Sequence, residues 1–128
     1  MRPDEDRVRD VLKAAMAIAD RLAAHTLETL KKDSDAIKAT FYDVIVLGEA
    51  MRGLVAKKDG SEERIGEDSE IVKANPDIPW IDWIGMRDVV THQYFRTEAT
   101  IVWRDYETGE LKKLIECCEA WLARTAAG

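Results

Sequence analysis

The sequence lacks a long hydrophobic run. Its longest uninterrupted apolar stretch is AAMAIA at residues 14–19, whereas roughly 18 or more apolar residues in a row indicate a membrane-spanning helix. The opening segment MRPDEDRVRD carries charges of both signs and precedes no apolar segment of the kind that a secretory signal needs. We therefore expect no membrane span and a cytoplasmic location.

Cysteine is also scarce. Cys117 and Cys118 are the two cysteines of the chain, and neighbouring residues lie about 100° apart around a helix. Because no second pair accompanies them, the sequence offers neither a disulfide framework nor a cysteine-based zinc site. We expect both thiols to be reduced.

Positive charge is in the minority. The chain has 19 lysines and arginines against 25 aspartates and glutamates, which gives a formal net charge of −6. Proteins that bind nucleic acid through bulk electrostatics usually present a basic face, and this composition argues against that class. If RNA is the substrate, positive charge must be concentrated at one cleft.

The signature motifs of most enzyme classes are missing. The sequence contains no Walker A loop, no GxGxxG, HExxH or GxSxG motif, and no histidines, cysteines and carboxylates at metal-ligand spacing. We accordingly expect no metal and no cofactor. The 128 residues, 46% of them hydrophobic, are enough for one ordinary globular core, so we predict a single domain over residues 1–128.

Helical periodicity is what the sequence does contain. Apolar residues at three- and four-residue steps predict a first helix over about residues 4–30. Its stripe consists of Val8, Val11, Leu12, Ala15, Ile18, Ala19 and Leu22. His25 continues this stripe near the predicted helix end, where we expect a surface residue.

A second helix is predicted to start at Asp33 or Ser34, which are typical capping residues. Its matching stripe consists of Ile37, Phe41, Val44, Ile45, Gly48, Met51 and Val55. A glycine inside a helix costs about 1 kcal/mol relative to alanine. Gly48 therefore indicates that another helix approaches closely.

The second half of the chain also follows helical patterns. Residues 57–77 are charged and weakly periodic, which predicts a solvated connection with one short helix over about residues 69–73. Two prolines then favour the start of a third long helix near Trp80. A last helical region is predicted over about residues 98–123, broken or kinked by Gly109. The fold class predicted from these elements is all-α, an antiparallel bundle of four to five helices.

Polar side chains interrupt the apolar sequence of the third long helix. Within GMRDVVTHQYF at residues 85–95 they are Arg87, Asp88, Thr91, His92 and Tyr94. On an ideal helix Arg87 and Tyr94 lie within about 20° of each other, while His92 lies about 140° from Arg87. Arg87 and His92 can meet only through the long arginine side chain or a local loosening near Gln93. Spacing alone leaves a catalytic pair and ordinary bundle ion pairs both open.

The run IGMRDVVTHQYF resembles the signature of HepT-like toxins: arginine, four residues, histidine, any residue, tyrosine. These toxins are a branch of the HEPN superfamily of helical ribonucleases. The resemblance extends to VIVLGEA at residues 44–50, NPDIPW at residues 75–80 and Val102-Trp103, so that it covers at least residues 35–104. It implies an HEPN-like bundle and RNA as the substrate.

The resemblance also implies roles for individual residues. Arg87 and His92 match the catalytic pair, and Asp88 matches the supporting polar residue after the arginine. Tyr94 matches the tyrosine that a partner nucleotidyltransferase modifies with AMP. The family often has asparagine at the position of Asp88. The aspartate adds a negative charge beside the phosphate-binding site that the resemblance implies.

Arginine and histidine suit RNA cleavage without a metal. Histidine has an unperturbed pKa near 6.5 and can accept the proton of a ribose 2′-OH at neutral pH, after which the oxygen attacks the adjacent phosphorus and leaves a cyclic phosphate. Arginine presents a permanently charged planar fork to phosphate oxygens. Cleavage benefits from both a base and an acid, and the homodimer that the resemblance implies would place two such pairs at one twofold interface.

Two functions therefore remain open. The first is a ribonuclease toxin restrained by a nucleotidyltransferase antitoxin. The second is a non-catalytic helical partner of such a nucleotidyltransferase, in which the same residues serve assembly or nucleotide binding. The complete set of Arg87, His92 and Tyr94 favours the ribonuclease, because a purely structural bundle has no need of all three polar groups in an apolar segment.

Overall fold

The computed structural model of the chain describes residues 4–55, 69–92 and 95–127, except for the side chains of residues 92–98 and 127. Within these ranges there are seven helices and no strand, which confirms the all-α prediction. The helices are α1 (Asp4–Ala23), α2 (Leu27–Lys32), α3 (Ser34–Val55), α4 (Glu70–Ala74), α5 (Trp80–His92), α6 (Phe95–Glu107) and α7 (Glu110–Ala127).

The helices bury their apolar stripes in one hydrophobic core. Helix α1 packs along α3 and α7, and α3 also packs along α5. The most deeply buried large side chains include Ile18 and Leu22 of α1, Leu47 of α3, and Leu111 and Leu114 of α7. Each such side chain contributes about 1.5–3 kcal/mol to folding when it leaves water. Helix α3 lies at the centre of the bundle because it packs against both α1 and α5.

The predicted first helix over residues 4–30 is wrong at its carboxyl-terminal end. Helix α1 ends at Ala23, and α2 begins after Thr26. The Thr26 side chain accepts a hydrogen bond from the backbone N–H of Thr29 at 3.1 Å, and the Thr29 hydroxyl accepts one from the backbone N–H of Thr26 at 2.9 Å. This reciprocal cap starts a new helix. His25 consequently lies in a turn, with Nδ1 3.0 Å from the Thr29 hydroxyl.

Residues 69–79, the described part of the segment before α5, have the predicted structure. The short helix α4 and the start of α5 at Trp80 are confirmed. The Asn75 side chain donates to the Ile71 carbonyl at 2.9 Å, and the Trp80 indole donates to the Asn75 carbonyl at 2.9 Å. These two bonds tie α4 to the first turn of α5. The earlier part of the predicted connection, residues 57–68, lies outside the described residues.

The last predicted helical region is two helices. Helix α6 ends at Glu107, and Gly109 adopts φ 88°, a left-handed conformation that a glycine accepts at little cost. The predicted break at Gly109 is therefore confirmed. Both cysteines of α7 are free, and burial raises the pKa of the Cys117 thiol to about 11 and that of Cys118 to about 12.

None of the helices in the described ranges combines the length and the apolar content that a bilayer span needs.

Candidate active site

Arg87 lies where α5 crosses α3, directly over Gly48. A Cβ atom placed on Gly48 would lie 2.6 Å from the Cβ of Arg87, and 3.2 and 3.3 Å from its Cδ and Cγ. Only glycine leaves room for the arginine at this point. The close approach predicted at Gly48 is confirmed, and the group that approaches is the stem of Arg87.

Two carboxylates hold the far end of Arg87. Its Nη2 forms an ion pair with Glu49 of α3, and its Nη1 donates to Asp88 Oδ1 at 2.7 Å. A guanidinium has five N–H donors. Its Nε is buried and has no hydrogen-bond partner among the described residues. In the described part of the chain, these contacts leave one hydrogen on each terminal nitrogen for a further acceptor such as a phosphate oxygen.

Asp88 also connects Arg87 to a second arginine. Asp88 Oδ2 lies 4.0 Å from Nη2 of Arg52, which is in the last turn of α3. Two arginines and two carboxylates thus meet at the crossing of α3 and α5, and their formal charges cancel. This cluster alone does not supply the concentrated positive charge that an RNA cleft requires.

The sequence motif identifies Arg87 and Asp88 but not Glu49 and Arg52. A signal for them was present in the second predicted helix. Gly48 indicates a close helix crossing. Glu49 follows it directly and Arg52 lies one turn after it, so both are candidates to face the approaching helix. The spacing of residues along one helix does not show which other helix packs against Gly48.

His92 and Tyr94 are only partly placed. His92 is the last residue of α5, and the description covers its backbone but not its side chain. Gln93, near which a loosening of the helix could bring Arg87 and His92 together, lies outside the described residues, as does Tyr94. The structure therefore brings together Arg87 and Asp88, and the meeting of Arg87 with His92 stays a prediction.

The side of α5 that carries residue 92 is open and apolar. Ile81, Gly85 and Val89 follow at four-residue steps and form what we call the open face of α5. Ile81 is 47% exposed, and a Cβ on Gly85 would meet no heavy atom of the described residues within 4 Å. Residue 92 comes seven residues, about two turns, after Gly85, which puts it about 20° from that glycine around the helix.

A groove runs between the open face and α6. It is lined by the three residues of that face together with Ile101, Asp82 and Asp105. Burial raises the pKa of Asp105 to about 6, repulsion from Glu110 and Asp82 adds to the rise, and Arg104 opposes it. Among the described residues, no group of three or more histidines, cysteines and carboxylates could hold a metal ion.

Comparison with known proteins gives the chain its family. A family model described as "Ribonuclease HepT-like" matches residues 11–121. A curated protein of Caldanaerobacter subterraneus subsp. tengcongensis, named "Putative RNase TTE0752", is 23% identical over 118 residues, which cover 91% of this chain and 94% of that protein. No solved structure shows a significant match. The family model spans most of the sequence, including both helices of the candidate site, and the chain therefore belongs to the HepT-like ribonuclease family.

Proposed function

We propose that this protein is a ribonuclease toxin that cleaves RNA through Arg87 and His92 and is restrained by a nucleotidyltransferase antitoxin. The observation that carries the proposal is the way in which neighbouring residues hold the Arg87 side chain in place. Its stem fits over Gly48, and two carboxylates hold its guanidinium, so that the cation is fixed before any substrate arrives. A fixed cation stabilises charge that develops in a transition state better than a mobile one does.

In the proposed reaction Arg87 binds the scissile phosphate and His92 accepts the proton of the ribose 2′-OH. The 2′ oxygen forms a bond to phosphorus while the bond from phosphorus to the 5′ oxygen breaks, which leaves a 2′,3′-cyclic phosphate and a 5′-hydroxyl. The departing 5′ oxygen needs a proton, and a second histidine can donate it. The nucleophile is part of the RNA, so no metal-bound water is required.

A homodimer would supply the second histidine. The open face of α5 supports this proposal because it is apolar, has no neighbour at Gly85 among the described residues and leads to residue 92 two turns later. Two copies that meet across this face would bring their two α5 carboxyl-terminal ends together. Sedimentation of the purified chain tests the proposal: twice the mass of 14.5 kDa is expected, and a strict monomer at micromolar concentration would contradict it.

The experiment that tests the proposed function is cleavage of single-stranded RNA by the purified chain in excess EDTA. Undiminished cleavage with a 2′,3′-cyclic phosphate end is expected. Strict magnesium dependence with a 3′-hydroxyl product would reject the mechanism, because that outcome requires an external nucleophile. The RNA sequence should matter little for these end groups, since they report the chemistry of the step.

One observation favours the alternative, a non-catalytic partner of a nucleotidyltransferase. Among the described residues the charges of Arg52 and Arg87 are balanced by those of Glu49 and Asp88, and a cluster without net charge attracts a phosphate backbone weakly. This alternative predicts a stable complex with the nucleotidyltransferase and no cleavage of any RNA. Cleavage that requires Arg87 decides against it.

A further inference from the structure

Glu49 contacts the candidate site from a different helix than the motif residues. It follows Gly48 directly on α3, and its carboxylate pairs with Nη2 of Arg87 on α5. Gly48 and Glu49 thus act on the two ends of one side chain. The glycine makes room for the stem, and the glutamate fixes the guanidinium.

We propose that Glu49 is a positioning residue that fixes the plane of the Arg87 guanidinium for transition-state binding. The proposal rests on the proposed function and extends it to α3. Asp88 is the neighbour of Arg87 on the same helix and holds only one terminal nitrogen. A guanidinium held at one end can still swing, whereas a second anchor on α3 fixes the group relative to the core.

Exposure sets how strongly this anchor acts. The Arg87 side chain is 27% exposed and that of Glu49 is 51% exposed, so water screens the pair and its effect on overall stability is small. Its effect on the reaction is larger, because a displacement of about 1 Å at a catalytic group costs on the order of 100-fold in rate. The loss of Glu49 should therefore reduce catalysis more than folding.

The sign of the effect separates positioning from simple electrostatics. Removing a carboxylate beside a phosphate-binding arginine should strengthen RNA binding if charge is all that matters. A positioning residue gives the opposite result for the chemical step. We expect Glu49→Gln, which keeps an acceptor oxygen, to lower kcat by about tenfold, and Glu49→Ala to lower it by about 100-fold.

The experiment compares these two variants with Asp35→Asn, which removes the same charge from an exposed position at the other end of α3. Single-turnover cleavage gives the chemical rate, and a 2′-deoxy oligonucleotide that cannot be cleaved gives the affinity. Reduced rates with unchanged or tighter binding, larger for alanine than for glutamine, support positioning. An unchanged or increased rate in Glu49→Ala would overturn it.

A second measurement does not depend on ribonuclease activity. The NMR order parameter of the Arg87 Nε–Hε bond should fall in Glu49→Ala, while that of Arg21 should not. Arg21 of α1 is the matched control, because its guanidinium forms an ion pair at 2.8 Å with Asp43, which lies on a different part of α3 from Glu49. If wild type cleaves no RNA, the proposed function fails and this measurement still tests the anchor. An unchanged order parameter at Arg87 would overturn the positioning role.

Discussion

Tyr94 carries the proposal for control at the scale of single residues. It stands seven residues after Arg87, which puts it about 20° from the arginine on an ideal helix. An AMP group on its hydroxyl would bring a bulky anion toward Arg87, where the new phosphate competes with RNA for the guanidinium. Modification is therefore expected to switch cleavage off.

The prediction is that co-expression with the cognate nucleotidyltransferase adds the mass of AMP to the peptide that contains Tyr94. Tyr94→Phe should remain toxic and escape silencing. Tyr42→Phe is the matched control, because Tyr42 is 67% exposed on α3 and should leave silencing intact. Equal silencing of wild type and Tyr94→Phe without a covalent adduct would mean control by complex formation alone.

Residue-scale features differ in how far the sequence predicts them. Arg87 and Asp88 were predicted from the resemblance of residues 84–95 to a family signature, and their roles stay predictions. Glu49 and Arg52 were not predicted, because an acidic and a basic residue on an amphipathic helix are ordinarily solvated. Glu49 and Arg52 become part of the candidate site only because α5 packs against α3 at Gly48. A close-approach glycine in a predicted helix should therefore direct attention to the polar residues beside it.

At the scale of elements, the crossing of α3 and α5 is the feature on which the site depends. Gly48→Ala would gain about 1 kcal/mol in helix propensity. The added Cβ would meet Arg87 Cβ, so that one helix must shift, and such overpacking costs about 1–3 kcal/mol. We predict a melting temperature no higher than that of wild type and a cleavage rate lower by about 100-fold.

Gly53→Ala on the same helix is the matched control. The heavy atoms nearest to a Cβ at this position are Cδ, Nε and Cζ of Arg7, which form the far end of a flexible side chain that can move aside. This variant should keep wild-type cleavage in the same assay, and circular dichroism should show unchanged helix content in both. Full activity in Gly48→Ala would contradict the account of the crossing.

Most elements were predicted from apolar periodicity, and the exceptions have physical reasons. The end of α1 was missed because its stripe of apolar residues appeared to continue through His25. The reciprocal cap of Thr26 and Thr29 starts α2 instead. The usual signature of such a cap has glutamate or glutamine at the third helical position, and threonine there gives no comparable sequence signal. At Gly109, by contrast, the glycine itself marked the break.

At the scale of the whole molecule, the spacing of Arg87 and residue 92 along α5 assigns them to different sides of the helix. Arg87 faces α3, whereas residue 92 continues the side of Gly85, where a Cβ would meet no heavy atom in the described part of the chain within 4 Å. The angle of about 140° between them on an ideal helix follows from their spacing of five residues. A second copy on the open face would give each histidine a neighbour from the other chain.

The all-α class follows from composition and periodicity, and the family match agrees with it. The site is harder to predict, because a cluster of two arginines and two carboxylates looks neutral in a sum of charges. The proposed catalysis depends on which hydrogens of Arg87 remain available, and only the three-dimensional contacts decide that. The extent of the domain over residues 1–128 stays a prediction.

The most direct measurement is RNA cleavage by His92→Ala and Arg87→Ala beside two matched controls. His25→Ala removes the other histidine, and Arg9→Ala removes an exposed arginine that pairs with Glu5 at 2.8 Å on α1. We predict that His92→Ala and Arg87→Ala each lose at least about 100-fold in cleavage rate with unchanged helix content, while both controls cleave like wild type. Wild-type cleavage by purified His92→Ala would contradict the proposed site.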